Sequence, residues 1–192
     1  MKKKSSLARL FEYAGNYKYL TILSWILSVV SAWIALVPFY YIWKIMQEIL
    51  KVAPDYAHAE NIGTYGWRAL GNALVSMLVY VVALLCSHLA AFRVQSNLRS
   101  QLMRHIMTLP LGFMDRDGSG KIRKIVNESS AATETYLAHQ LPDRAGALAT
   151  PVGLLVLLLV FDWRLGLLSL IPVVAAFLIM GTMAGAQMKQ KM

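Results

Sequence analysis

Side chains that commonly carry out catalysis are few in this sequence and lie far apart. His88, His105 and His139 are separated by long intervals, and neither a His-Glu-x-x-His pattern nor a pair of carboxylates accompanies them. His58 and Glu60 are too sparse for a metal site, because a protein zinc site needs three or four ligands. We therefore predict no catalytic residue and no metal site, which disfavours a membrane enzyme.

A short glycine-containing run, Gly118-Ser119-Gly120-Lys121, superficially resembles part of a phosphate-binding loop. A Walker A motif requires Gly-x4-Gly-Lys-Ser/Thr, because its backbone amides surround the phosphates and its hydroxyl reaches the magnesium ion. In this sequence Asp115 occupies the first glycine position and Ile122 occupies the hydroxyl position. We predict that this chain alone holds no cofactor, does not bind ATP and is not an enzyme.

Four long apolar stretches are the elements that must position any functional residue. A helix rises about 1.5 Å per residue, so about 20 apolar residues cross a hydrocarbon core of about 30 Å. Three of the stretches reach that length without Asp, Glu, Lys or Arg, and the third is shorter but rich in Leu and Val. The sequence predicts an all-α membrane protein with four transmembrane helices, at about residues 19–43, 69–92, 145–161 and 165–186.

The formal net charge of +9 is distributed unevenly along the chain. Basic residues exceed acidic ones in residues 1–18, in the connection 93–144 and at the C-terminal end, whereas residues 44–68 are balanced. Basic segments next to membrane spans stay in the cytoplasm. We predict a multi-pass protein of the cell (plasma or inner) membrane with both termini in the cytoplasm. Nucleic acid is not expected as a partner, because its binding surface would not alternate with apolar spans.

Residues 1–18 precede the first span and carry an amphipathic pattern. Their apolar residues recur at the spacing of one helical face, at Leu7, Leu10, Phe11 and Ala14. Together with the flanking lysines, this pattern predicts a short helix on the inner membrane surface. A frayed basic tail is the alternative.

The connection after the second span continues that span as a helix. Apolar residues repeat every fourth position, at Val94, Leu98, Leu102 and Ile106. A helix over residues 69–109 would be roughly 60 Å long, twice the thickness of the hydrocarbon core. A second helical pattern runs from Ile122 into the third span, where Pro142 and Pro151 predict kinks. Two helices that project this far need a partner that buries them.

The run LPLGFMDRDGSGKI between these helices resembles the first intracellular loop of type IV (exporter-type) ATP-binding-cassette transporters. Leu109-Pro110, Phe113, Asp115 and Ser119-Gly120 match that family's pattern, whereas Met114 replaces its second aromatic residue. Asp162-Trp163-Arg164-Leu165 is similar to the family's short outer turn between its third and fourth spans, and residues 1–18 are similar to its elbow helix. The family's basic and acidic residues on the next helix are represented by Lys124 and Asn127-Glu128.

The resemblance implies that residues 110–121 form a coupling loop that docks onto a nucleotide-binding domain, which would hold ATP and Mg²⁺. Phe113 would be the apolar anchor of this contact, and the residues assigned to it are Phe113, Met114, Asp115, Arg116, Gly118 and Gly120. The resemblance also implies a second transporter half, in a homodimer or heterodimer. Residues 19–192 would then be a partial transmembrane domain without the last two spans and the ATPase domain, as in a truncated product or fragment.

Polar residues within the predicted spans are the candidates for a substrate pathway. Most are hydroxyls, and we assign Ser28, Ser76 and His88 to the pathway. The alternative is that they pack or form hydrogen bonds between helices, as intramembrane Ser and Thr commonly do. Cys86 is interpreted as a small packing residue. At the level of the whole chain, the alternative function is a self-contained four-span membrane adaptor or channel-like protein.

Overall fold

The computed structural model describes residues 6–54, 60–110, 112 and 118–190, and the described part of the chain is helical without a strand. Its elements are α1 (Ser6–Ala14), a 3₁₀ turn (Gly15–Tyr17), α2 (Lys18–Ile34), α3 (Val37–Val52), α4 (Ile62–Met107), α5 (Ser119–Thr135), a π-helical segment (Tyr136–Gln140), α6 (Leu141–Phe161) and α7 (Trp163–Gln190). Four helical stretches are long and apolar enough to cross a membrane. The predicted all-α, four-span fold class is confirmed.

The first helical stretch extends from α1 to α3 and is interrupted after Ile34. Backbone turns at Ala35 and Leu36 separate α2 from α3, where Pro38 lies in the first helical turn and therefore needs no backbone hydrogen-bond donor. The predicted short N-terminal helix is present as α1, and Asn97 Nδ2 of α4 donates a hydrogen bond to its Tyr13 carbonyl oxygen at 3.2 Å. Its position on the membrane surface stays a prediction.

Helix α4 contains 46 residues, which corresponds to roughly 69 Å. The predicted range was 69–109, so the helix begins seven residues earlier than predicted, at Ile62, and ends two residues earlier, at Met107. Gln95 Nε2 of α4 lies 3.4 Å from Glu134 Oε2 of α5, so the two helices continue side by side beyond the apolar spans. The predicted long helical extensions are therefore present as α4 and α5.

Small side chains allow the helices to approach each other closely. The buried residues of α2 are all Ser or Thr and recur every three or four positions, at Thr21, Ser24, Ser28 and Ser31. They form one face, and α2 packs against both α4 and α6. A small core contains Ala14, Ala91, Val94, Leu137, Ala138 and Leu141.

Candidate functional site

The predicted coupling loop lies only partly within the described residues. Phe113, Met114, Asp115 and Arg116 lie outside them. Gly118 has a φ of 72°, a conformation that L side chains rarely adopt, and its carbonyl oxygen accepts a hydrogen bond from the Ile122 amide at 3.3 Å. Gly118 thus starts α5, and Gly120 lies in its first turn with open space around its Cα. Their role in coupling stays a prediction.

A cleft of about 470 Å³ lies between α4 and α5, next to this loop. Its lining combines apolar side chains with two arginines, and includes Arg99, Met103, Ile106, Ile122, Arg123 and Val126. Lys124 and Glu128, which stand where the family has its basic and acidic residues, form an exposed i,i+4 pair at 3.7 Å. Such an exposed pair adds little to stability.

Ser28 and Ser76, which were assigned to the substrate pathway, are buried between helices in this chain. Ser28 is 2% exposed, and its hydroxyl has no hydrogen-bond partner among the described residues. Ser76 is 7% exposed; its hydroxyl donates to the Ser31 carbonyl oxygen at 3.1 Å, and the Ser31 hydroxyl donates to the Ser76 carbonyl oxygen at 2.9 Å. This reciprocal pair fixes the register of α2 against α4. A contact of either residue with a substrate stays a prediction.

His88, the third pathway candidate, contacts a histidine that is distant in sequence. Its ring lies edge-on to the ring of His139, with 4.7 Å between the centroids, and 5.9 Å from the ring of Phe92. His88 is half-buried, whereas His139 is exposed on the surface of the four helices. Sequence analysis treated the two histidines as unrelated, because no short-range pattern indicates that the π-helical segment lies beside the end of the second span.

The π-helical segment is held by a hydroxyl from α4. Because Pro142 has no N–H group, the backbone donor that would serve the carbonyl oxygens one turn earlier is missing. The Ser87 hydroxyl takes its place: it lies 2.9 Å from the Leu137 oxygen and 2.8 Å from the Ala138 oxygen, and donates to them. Ser87 is 1% exposed. A side chain of the neighbouring helix thus donates to the carbonyl oxygens that the proline leaves without a backbone donor. Within a membrane such oxygens need a partner, because no water is present.

Tyr80 and Asp143 form a polar contact that sequence analysis missed. The Tyr80 hydroxyl donates to Asp143 Oδ1 at 2.9 Å. Asp143 was assigned to the connection 93–144, yet its partner lies in the middle of the uncharged segment 69–92. The short third apolar stretch could have indicated that Asp143 lies within the membrane. Its 17 residues cover only about 25 Å, less than the hydrocarbon core of about 30 Å. Residues before Ala145 must therefore also lie within the depth of the membrane.

Aromatic side chains gather at the ends of the spans that are farthest from the α4–α5 tip. The rings of Trp43 and Phe161 stack with centroids 4.7 Å apart, and Tyr41 stacks on Tyr65 at 6.3 Å. Next to these rings, an apolar cavity of about 600 Å³ lies between the first helical stretch and α6. The Trp33 indole N–H, from the same helical stretch, donates a hydrogen bond to the Ala149 carbonyl oxygen of α6 at 3.2 Å. This arrangement is typical of an interfacial aromatic belt.

Residues 21–191 match the model of a known family, described as the ABC transporter transmembrane region. The chain belongs to this family. The resemblance seen in the loop residues, to the N-terminal part of an exporter-type transmembrane domain, is confirmed.

Three curated relatives illustrate the similarity. The mycobactin import ATP-binding/permease protein IrtA of Mycolicibacterium thermoresistibile is 30% identical over 162 residues, which cover 84% of this chain and 17% of the relative. IrtA of Mycobacterium tuberculosis is 32% identical over 152 residues, or 79% of this chain and 17% of the relative. The multidrug resistance protein sirA of Leptosphaeria maculans is 23% identical, over 92% of this chain and 15% of its own length. The chain thus spans about a sixth of the relatives it matches.

Proposed function

We propose that this chain is the membrane-spanning part of an ATP-driven transporter with exporter-type architecture. In this proposal, its helices form part of the substrate pathway, and its first intracellular loop receives the movement of a nucleotide-binding domain. The supporting observation is the pair α4 and α5. Helix α4 is more than twice as long as a hydrocarbon core requires, and it packs against α5 beyond the apolar spans. Such a pair is stiff enough to transmit a movement from its tip into the membrane.

The proposed partners follow from the same architecture. A nucleotide-binding domain would contact residues 110–121, and a second transporter half would complete the pathway. ATP and Mg²⁺ would be held by that nucleotide-binding domain. The residues of this chain do not fit them, because Ser119, Gly120 and Lys121 lie in the first turn of α5, after a glycine that provides only a turn. We propose that this chain alone does not hydrolyse ATP.

The proposed location is the cell membrane, with both termini and the α4–α5 tip in the cytoplasm. The uneven distribution of basic residues supports this orientation.

The names of the relatives provide a first substrate to test. Two of them are named for mycobactin import. We propose mycobactin as a test substrate, and transport should be measured in both directions across the membrane.

The test of coupling is Phe113→Ala in the complete transporter, with ATP hydrolysis and transport measured on the same reconstituted sample. Removing the apolar anchor should lower ATP-driven transport by roughly tenfold while hydrolysis continues without its substrate stimulation. Membrane insertion should be unchanged. The matched control is Phe39→Ala, which removes an exposed phenylalanine in α3. Unaltered transport in the Phe113 variant would contradict the coupling assignment.

A further inference from the structure

The depth of Tyr80 in the membrane follows from the two arginines that flank the uncharged segment of α4. Arg68 and Arg93 stand at the two ends of the uncharged segment 69–92. At 1.5 Å per residue, Tyr80 is roughly 18–20 Å from either arginine along the helix axis. Its hydrogen-bond partner Asp143 lies roughly 27 Å along α6 from Phe161 of the aromatic level, so the contact is in the half of the membrane nearer the α4–α5 tip.

Both side chains lie on the surface of the four described helices. Tyr80 is 37% exposed and Asp143 is also exposed. A carboxylate at this depth is strongly unfavourable in contact with lipid tails, so such residues face protein or a water-filled cavity and mark pathways. His139 and Arg144 are exposed polar residues near Asp143, and we call the residues Tyr80, His139, Asp143 and Arg144 the polar face.

The cationic neighbours of Asp143 are directed elsewhere. The Arg144 guanidinium lies over the ring of Tyr136, 5.6 Å from its centroid. Tyr136 precedes Arg144 by about two helical turns, so the guanidinium is directed away from Asp143 toward the inner end of the helix. The His139 ring contacts His88. Among the described residues, no ion pair engages Asp143, and its hydrogen bond to Tyr80 uses Oδ1. Oδ2 is therefore available to a ligand.

We propose that Asp143 and Tyr80 form a recognition subsite for a cationic group, such as an alkylammonium, on the transported molecule, and that the polar face lines the aqueous pathway. The carboxylate supplies the opposite charge, the phenol hydroxyl fixes its orientation, and the exposed tyrosine ring offers a surface that attracts cations. This inference rests on the proposed transport function, names a chemical class for its substrate, and does not depend on mycobactin as the test substrate.

The test replaces Cys86, the single cysteine of this chain, by alanine, together with any cysteine in the rest of the complete transporter. In the complete transporter, Ala147→Cys places a thiol one helical turn from Asp143, at an exposed position. Its rates of reaction with a trimethylammonium methanethiosulfonate and with an anionic sulfonate methanethiosulfonate are measured without ATP. The matched control is Leu78→Cys, 65% exposed at a similar depth but on the side of α4 opposite Tyr80.

Ala147→Cys should react with both reagents, and its ratio of cationic to anionic rate should exceed that of a free thiol in solution by about tenfold, whereas Leu78→Cys should stay unreactive. Adding Asp143→Asn should return that ratio to the value of the free thiol without removing the reactivity. An Ala147→Cys thiol as unreactive as the control would mean that other helices or lipid cover the polar face, and would overturn the inference. A rate ratio no higher than that of the free thiol would overturn the cationic subsite. Because no ATP is used, failure of the Phe113 coupling test would leave these rates unchanged, so the two proposals can fail separately.

Discussion

Individual hydroxyl groups determine how these helices pack, and Ser87 is the clearest case. In an unbroken α-helix each carbonyl oxygen is bonded by an amide four residues later, and at Pro142 that amide is missing. The Leu141 amide reaches back five residues to the Tyr136 oxygen, which leaves the next two carbonyl oxygens to Ser87. The serine therefore allows a proline to lie at membrane depth.

At this scale we predict that Ser87→Ala destabilises the protein by about 1–2 kcal/mol, because it leaves buried carbonyl oxygens without a donor. The measurement is the unfolding midpoint in detergent micelles. Ser24→Ala is the matched control, since Ser24 is equally buried but bonds only the Thr21 carbonyl of its own helix. Equal shifts in the two variants would show that the hydrogen bonds from Ser87 to the π-helical segment contribute no more than the local bond of Ser24.

At the scale of elements, the α6–α7 hairpin has the tightest turn between two spans. A single residue, Asp162, connects the helices in an extended conformation, and its Oδ1 accepts a hydrogen bond from the Arg164 amide at 2.9 Å. This is the contact of an N-cap residue, which satisfies one of the free amides at the start of α7. The two helices then meet at Gly166, where a Cβ atom would lie 3.0 Å from the Leu159 Cα.

We predict that Gly166→Ala destabilises this hairpin, whereas Gly71→Ala in α4 does not. Both substitutions gain the same helix propensity, but the added methyl meets Leu159 in the first case and open space in the second. The difference in unfolding free energy between the variants should be about 1–3 kcal/mol. Indistinguishable thermal stabilities of the purified variants would contradict the close approach.

At the scale of the whole molecule, aromatic rings and charges define two levels. Trp43, Tyr65 and Phe161 gather at one level, and Arg93 lies over the Tyr17 ring at the other, with 5.7 Å to its centroid. Interfacial aromatics and basic residues next to spans have these positions in membrane proteins. The α4–α5 tip extends beyond the second level, as the proposed contact with a nucleotide-binding domain requires.

The corresponding prediction concerns orientation. In the Cys86→Ala background, Glu60→Cys should react with a membrane-impermeant maleimide on intact cells, because the connection before α4 is expected outside. Lys124→Cys, in α5, should react only after permeabilisation. Labelling is read as a mass shift on a gel. The reverse pattern would invert the proposed topology.

Much of the fold could be predicted from the sequence, but the candidate site could be predicted only in part. Span number followed from apolar length, and the loop motif identified the family because its residues are adjacent in the chain. Tyr80 and Asp143 were not connected, since they are 63 positions apart and only one of them lies in an apolar run. Ser28 and Ser76 were recognised as polar intramembrane residues, but their burial depends on how α2 and α4 pack.

The sequence by itself determined that the chain is helical, crosses the membrane four times and has long extensions on one pair of helices. These properties depend on local composition, because each span must match the thickness of the hydrocarbon core and bond its own backbone. Only the tertiary structure decided which polar residues share a depth. It placed Asp143 beside Tyr80 and Ser87 beside the carbonyl oxygens freed by Pro142. Such pairs depend on the register between helices, which is fixed by contacts between residues distant in the chain.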